Sequence, residues 1–547
     1  MDNKKFKDTL LLPKTNFPLK IFNPAEIEKK IRELWEEKQV YQKLLEKNKN
    51  NLSFILHDGP AFANGNLHMG HLLNRFIKDI IVRFHAIQGK YTPFLLGWDT
   101  HGLPIEHKVL QNHKNETTNL RLLCRQFALE QVDIQRQQLK KLGLFTDYEK
   151  YYITLDKNYE AEQIRIFGEM VKKDLIYQGF RPIHWSCGHE TALAEDEIEY
   201  LPKKDTSLYF KIKLAENPVF LGQRNISLLV WTTQPWTIPA NRLVAIKKSV
   251  SYALVNYDNE YLIILENQIS LLEKWSGEKV KAKEVFLGEK LLGLTYFIPY
   301  QSDIKGYIVD GSDFIEESEG TGLVHLAPAF GAEDFMVVQR EKLEIDCPME
   351  PNGFFNELIK IPQFIGKHYS EINEYVISDL EQKNQIVKKA VITHSYPHDW
   401  RDKSPLVYRL TKQWFIKIER IKKQILENIE KVQWFPAWTQ EKMKSIIEVR
   451  NDWCLSRQRK WGVPLPILYQ RSPQDDKPIL NPLIIDYIAE LVAKNGSDCW
   501  FYGSILPLLR EKFPDLINKE TILGQDTMDV WFDSGVSHWC VLKKIND

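Results

Sequence analysis

No two of the six cysteines, at 124, 187, 347, 454, 499 and 540, stand close enough for a CxxC pair. That spacing argues against a dense disulfide framework and a cysteine-rich zinc site, and it fits a reducing cytoplasmic compartment. Long apolar runs are also missing. The longest, such as Leu228–Trp231 and Tyr261–Leu265, fall far short of the ~20 residues of a membrane-spanning helix. The start of the chain, MDNKKFKDTLLLPKTNFP, has no apolar h-region and little arginine, so it reads as neither a secretory leader nor a transit peptide. Neither sign of charge is in excess: Lys+Arg and Asp+Glu both number 73, so bulk charge points to no nucleic-acid partner and leaves local patches open. Gly and Pro, 26 each, are too few for a collagenous or low-complexity chain.

What is present is an ordinary globular composition, 43% hydrophobic and 27% charged, over 547 residues. At one domain per ~150 residues this length implies roughly three to four domains. The 15 tryptophans imply large cores or ring-lined pockets, and composition does not choose between them.

Residues Ala25–Lys47 read as one amphipathic helix, followed by a polar break at Asn48–Asn51. Ser53–His57 (SFILH) is a short apolar run bounded by turn residues, the pattern of a buried strand. Leu72, Leu73, Phe76, Ile77, Ile80, Ile81 and Phe84 recur at helical spacing, with Gly89 placed to end the helix. Thr92–Leu96 reads as a second strand. Strand, helix and strand in succession predict a βαβ unit and a parallel doubly wound sheet. After about residue 180 the texture changes to closely spaced β runs: Leu208–Leu214, Ile226–Trp231, Leu243–Ile246, Tyr252–Tyr257, Tyr261–Glu266 and Tyr307–Val309. These predict a β-rich domain inserted into the α/β one, with the chain returning near His394–Arg409 and helical patterning over Gln413–Val449.

The sharpest local signal is His57-Asp58-Gly59-Pro60 followed by Asn64-Gly65-Asn66-Leu67-His68-Met69-Gly70-His71. It places two histidines at the entrance of a helix that follows a strand. Helix N-termini present free N–H groups and a positive dipole end to anions. Gly65 and Gly70 allow close approach of backbone to a phosphate. Imidazoles there can donate hydrogen bonds to an α-phosphate as it becomes five-coordinate. The bland alternative is two surface histidines beside a helix cap. Asp99 closes a predicted strand at the carboxyl edge, where open α/β sheets bind ligands, and a carboxylate there can hold an ammonium or serve as a helix cap.

These stretches resemble the class I aminoacyl-tRNA synthetases. HDGPxxANGxLHMGH is similar to their "HIGH" region, and Gly97–Glu106 (GWDTHGLPIE) resembles the isoleucyl-tRNA synthetases rather than the valyl or leucyl enzymes. Trp231–Asn241 (WTTQPWTIPAN), Asp452–Pro466 (DWCLSRQRKWGVPLP) and Asp526–Gly535 (DTMDVWFDSG) agree, in family order from near residue 7 to 539. The resemblance implies a Rossmann-type parallel sheet, incomplete at the C-terminus, with an inserted β-rich editing domain. The implied boundaries are 1–50 for a helical extension, 51–185 for the first catalytic half, 186–395 for the insertion and 396–547 for the start of the second half. His68, Gly70 and His71 would be catalytic; Gly59, Pro60, Asn64 and Gly65 would bind ATP or adenylate; Pro60, Asp99 and Trp531 would bind the amino acid. Trp531 is equally readable as core. Ala61 stands where a second proline is usual.

In the insertion, Thr232, Thr233 and Asn241 would face Gly320–His325 and Asp334, with Asp334 on the ammonium of a misattached amino acid, the threonines on the ribose or water, and His325 excluding the cognate side chain. Gln234 replaces a frequent third threonine. A second site answers a limit of the first, because one methylene is worth only ~1–3 kcal/mol, a problem for which isoleucine against valine is the standard illustration. The partners implied are tRNA(Ile), isoleucine and ATP with Mg²⁺, for a monomeric cytoplasmic chain with no membrane contact. Cys187 and His189 read as a structural loop without a tightly bound metal. The family's KMSKS signature comes later. Lys442–Ser445 precedes the DWCLSRQR segment inside a helical pattern and is read as coincidence. The chain thus reads as an amino-terminal portion whose activation step is impaired on its own. Two other readings stay open: a fragment that only hydrolyses mischarged tRNA, over roughly residues 200–395, and an inactive tRNA-binding fragment.

Overall fold

The computed structural model describes residues 9, 11, 24–113, 118–301, 303–473 and 475–542. The resemblance near residue 7 lies outside them. The described chain forms two compact units. The first takes the described parts of Met1–Gln163, with Ala493–Gly496 and the described part of Asp533–Asp547; the second takes Ile164–Val492 and Ser497–Phe532.

In the first unit the helix expected over 25–47 is two helices, α1 (Pro24–Glu37) and α2 (Val40–Asn48), broken where Gln39 takes a left-handed conformation (φ 49°, ψ 48°). A three-stranded parallel sheet follows: β1 (Ala61–Phe62), β2 (Leu96–Asp99) and β3 (Tyr151–Ile153). Helix α3 (Met69–Ile87) crosses from β1 to β2. The expected strand at 53–57 supplies only a parallel bridge, Ser53 to Tyr91. The reason is on the partner segment. Pro93 has no N–H to give, and the Phe94 N–H donates to the Tyr41 hydroxyl (2.9 Å), so the ladder stops and the strand resumes at 96. Gly89 follows α3 with φ +84°, as its position predicted. The apolar stripe of α3 faces outward, with Leu73, Ile77 and Ile80 more than half exposed, while Arg75, Asp79, Val82 and Ala86 are buried. Two long helices, α4 (Leu103–Asn112) and α5 (Leu120–Leu142), lead to β3, and α6 (Lys157–Lys172) follows it. The core joins Phe94, Leu96 and Trp98 to Val82, Ala86, Val132, Leu139 and Phe145.

The second unit carries the β runs where the sequence placed them. In chain order these are β4 (Ile176–Ser186), β5 (Thr191–Ala192), β6 (Ile198–Lys213), β7 (Ile226–Thr232), β8 (Leu243–Ile246), β9 (Ser251–Tyr257), β10 (Glu260–Leu265), β11 (Ala282–Leu287), β12 (Thr295–Phe297), β13 (Lys305–Asp310) and β14 (Leu323–Leu326), then β15 (Ile386–Asp399) and β16 (Val407–Ile416). One sheet has the order β11-β9-β10-β7-β6-β15 and another β12-β13-β8-β14. Their shared core includes Phe210, Leu228, Val230, Val244, Tyr252 and Ile263. The helix expected from Gln413 begins instead as strand, because Gln413–Ile416 pair with Ile176–Gly179 of β4. Helices follow at Ile418–Ile429 and Thr439–Glu448, the second of which contains Lys442–Ser445.

Candidate functional site

His68 is the residue at which α3 begins. Its Nδ1 accepts from the Gly70 N–H (3.1 Å), and its own N–H donates to Nδ1 of His71 (3.3 Å). The two histidines thus close a capping box, the place normally taken by Ser or Thr with Glu. An Nδ1 that accepts carries no proton, so in the neutral ring each Nε2 is the donor. The rings lie 3.9 Å apart. Burial first, then the His68 and Arg75 charges, holds His71 below its ordinary pKa. A Cβ at position 70 would lie 3.0 Å from the His68 ring, so any larger residue there would press on the cap.

The glycine turn before it is held from α5. Gln131 Oε1 accepts from Gly65 N (3.0 Å), and Gln138 Oε1 from Leu67 N (2.9 Å). Gln135 donates to the carbonyls of Phe62 and Gly65 and accepts from Trp98 Nε1. Gly65 has φ +95°, which its lack of a side chain permits. The N–H groups of Gly65 and Gly70 are therefore committed within the protein. Beyond the cap, the donor that each neutral imidazole carries is its Nε2–H. None of the three glutamines was a candidate in the sequence; their i, i+4, i+7 spacing on a helix was the available signal. Asp58 is buried and takes Arg75 and Lys78 of α3, the latter at 2.6 Å, which fastens the Gly59–Pro60 turn to that helix. Asn64 is exposed.

Asp99 ends β2, fully buried. Its Oδ1 accepts from Thr154 Oγ1 (3.3 Å) and from His101 N (3.4 Å). Burial, then the charge of Asp533, raises its pKa well above the carboxylate range, against the pull of His101. His101 and Asp533 act on it and Glu160 reaches His101; none of the three was among the sequence candidates. Trp531 belongs to the other compact unit and is 44% exposed, which removes the core-packing alternative for its side chain.

Within the second unit, a chain of hydrogen bonds joins two of the residues expected to line the hydrolytic pocket, Thr232 and His325. Thr232 Oγ1 accepts from Gln234 N (3.0 Å), Thr237 Oγ1 donates to the Gln234 carbonyl (2.9 Å), and the same hydroxyl meets His325 Nε2 at 3.1 Å. Thr237 was missed. His325 is buried, which lowers its pKa to about 4, and its Nδ1 has no hydrogen-bond partner among the described residues. Thr233 is half-buried. Asp334 lies in the first turn of the short helix α7 (Ala332–Arg340); its Oδ2 accepts from Ala327 N (2.7 Å). Burial raises its pKa to about 6, opposed by that bond. A Cβ on Gly331 would stand 2.8 Å from the Asp334 carboxyl carbon, so glycine is what lets the carboxylate fold back. Asn241 stands apart from this chain of bonds. Its Oδ1 accepts from Tyr296 OH (2.7 Å) and its Nδ2 donates to Leu243 O (3.1 Å), a framework role.

Cys187 and His189 part company. The His189 ring lies between Asp399 (Nδ1–Oδ2 3.1 Å) and Asp402 (Nε2–Oδ2 3.8 Å), a donor set of the kind that takes divalent cations, while Cys187 is a thiol with its pKa pushed up to about 12 by burial. Among the described residues no helix is long and apolar enough to cross a membrane.

A family model described as tRNA synthetases class I (I, L, M and V) matches residues 30–546. The chain is 43% identical over 549 residues to the isoleucine–tRNA ligase of Onion yellows phytoplasma (strain OY-M), a match that covers 99% of this chain and 60% of that protein. It is 40% identical over 555 residues to the isoleucine–tRNA ligase of Caldicellulosiruptor bescii, with 99% and 60% covered. A solved ternary complex, Agrobacterium radiobacter K84 agnB2 LeuRS-tRNA-LeuAMS, is similar with TM-score 0.39 at 15% identity, over 94% of this chain and 59% of that one. The chain spans about 60% of the length of the curated relatives it matches.

Proposed function

We propose, for a chain that belongs to the class I tRNA synthetases of the isoleucine, leucine, methionine and valine group, that its chemistry is the activation of isoleucine and its transfer to tRNA(Ile), with hydrolysis of misattached valine in the β-rich insertion. The observation that carries this reading is the histidine capping box at the start of α3, which uses both Nδ1 atoms and so leaves the Nε2–H of each neutral ring as its donor, at a dipole end that favours anions. In this reading isoleucine's carboxylate attacks the α-phosphate of ATP, bound as its Mg²⁺ complex, and pyrophosphate leaves. His68 and His71 donate to the phosphoryl oxygens as charge builds on them, so they favour the transition state over the ground state. Gly70 keeps the box closed, and Gly59, Pro60, Asn64 and Gly65 shape the turn beside the nucleotide. Asp99 takes the α-ammonium, and Pro60 edges the side-chain pocket. The terminal ribose hydroxyl of tRNA then takes the acyl group. Domain boundaries at 50, 185 and 395, a monomeric state and a cytoplasmic location belong to the same proposal.

The test is ligand choice. Isoleucyl-sulfamoyl-adenosine should bind the purified chain more tightly than its valyl and leucyl counterparts in calorimetry, and His68→Ala with His71→Ala should weaken it. Equal affinity for the three analogues would sink the isoleucine assignment.

A second reading, a hydrolase of mischarged tRNA, is favoured by one observation: the bonded chain from Thr232 to His325 and the Asp334 helix lie within one compact unit. Slow deacylation of valyl-tRNA(Ile), with isoleucyl-tRNA(Ile) spared, supports it. Low salt is needed, since phosphate contacts weaken steeply with salt.

A further inference from the structure

Around Asp99 lies a set of ionisable side chains that the proposed chemistry leaves unused. His101 is fully buried. Its Nδ1 is 2.7 Å from Asp533 Oδ2, and its Nε2 is 3.4 Å from Glu160 Oε1. Asp533 is fixed in turn by α6: Gln163 Nε2 donates to Oδ1 (2.6 Å), and Tyr159 OH donates to its carbonyl (2.6 Å). Thr154 Oγ1 lies 3.3 Å from Asp99 Oδ1 and 3.5 Å from His101 Nδ1, so it stands between the two. A Cβ on Gly496 would be 3.9 Å from Glu160 Oε2 and 4.0 Å from Arg125 Nη2 of α5, so both side chains come near that glycine.

We propose that His101 is a positioning residue which, held as an imidazolium between Asp533 and Glu160, favours the ionised form of the adjoining Asp99 and so tunes the charge of the amino-acid ammonium site. The inference rests on the reading that Asp99 receives the ammonium. The electrostatics support it: burial and the Asp533 charge oppose ionisation of Asp99, the His101 charge favours it, and an arriving ammonium acts in the same sense as His101.

Buried like charges oppose each other's ionisation, and an unmatched buried charge is costly. Neutralising His101 removes a positive charge that offsets Asp99 and Asp533, and protonation of Asp99 then relieves their repulsion. The arriving ammonium must then expel that proton, so affinity falls about tenfold per pH unit below the Asp99 pKa. The histidine is suited to the role. Burial alone would lower its pKa, but the hydrogen bonds to Asp533 and Glu160 outweigh burial and raise it to about 9, so it stays charged at neutral pH.

Two measurements on the whole chain test this. The first is a pH titration of ring carbons in histidine-labelled protein, with the His101 signal assigned by its absence in His101→Gln. We expect an imidazolium that persists past pH 8 and titrates lower in Glu160→Gln. Titration of His101 near 6.5 in the parent overturns the proposal whatever the ligand does. The second is calorimetry with isoleucine and with 3-methylpentanoate, which lacks the ammonium. His101→Gln should weaken isoleucine about tenfold at pH 7, with the loss shrinking towards pH 8.5, and should leave 3-methylpentanoate unchanged. Glu160→Gln, should His101→Gln fold poorly, should shift the same limb by less. Equal weakening of both ligands, or an unaltered pH profile, would mark a merely structural bridge and overturn the proposal. If isoleucine binds parent and Asp99→Asn alike while His101 stays charged, the ammonium-site reading fails, and the inference built on it with it.

Discussion

His68 serves two ends with two ring nitrogens, and a substitution can separate them. Nδ1 caps α3 and Nε2 is free to donate. Asparagine also caps well but cannot reach as an imidazole does. His68→Ala should therefore cost ~0.5–2 kcal/mol of stability, His68→Asn less than about 0.5 kcal/mol, and both should lower isoleucine-dependent pyrophosphate exchange about 100-fold in whatever preparation shows it. Thermal unfolding and exchange assays on the three proteins check this. Asp334 presents the opposite balance. Its pKa is raised by burial to about 6, so between the unfolded carboxylate value and pH 6 the folded protein holds a proton that the unfolded chain has released. Stability therefore falls as pH rises through that window, and the full cost is in place above it. Asp334→Asn should stabilise the second unit by about 1–2 kcal/mol at pH 8, after discounting for partial exposure, with the gain vanishing near pH 4. It should also abolish valyl-tRNA deacylation. Melts at both pH values, with a deacylation assay, decide the point.

Between elements, the decisive bonds are those that α5 and α3 make to the loop before the histidines. Gln135 alone serves Phe62, Gly65 and Trp98. Gln135→Leu should cost about 1–3 kcal/mol for each group left unpaired, and amide hydrogen exchange over residues 62–67 should quicken while α5 stays protected. Asp58→Asn is expected to be harsher, about 3–5 kcal/mol by denaturant unfolding, because it leaves Arg75 buried without its carboxylate. Periodicity alone could identify α3 but not its buried face, since the salt bridge to Asp58 turns Arg75 inward and leaves Ile77 and Ile80 outside.

At the scale of the whole molecule, none of the six cysteines is joined in a disulfide. Reductant should leave the melting temperature unchanged, and a thiol reagent should label the folded chain slowly at Cys124, Cys499 and Cys540, which are buried, and all six positions after denaturation. The sequence by itself determined the local pieces: the β runs of the second unit, the helix after His68, the glycine that ends it, and the motifs that mark the family. These depend on neighbours within a turn or a strand, where spacing is geometry. Two strand limits were not readable, because Pro93 interrupts a ladder only once its partner is known, and Gln413–Ile416 are strand only beside β4. The tertiary structure alone decided which polar groups meet. Gln131, Gln135 and Gln138 look like an ordinary solvated helix face until the glycine turn is laid on them. His101 and Asp533, 432 residues apart, share a hydrogen bond that no local pattern encodes, because the free energy of a buried charge depends on what the fold places around it.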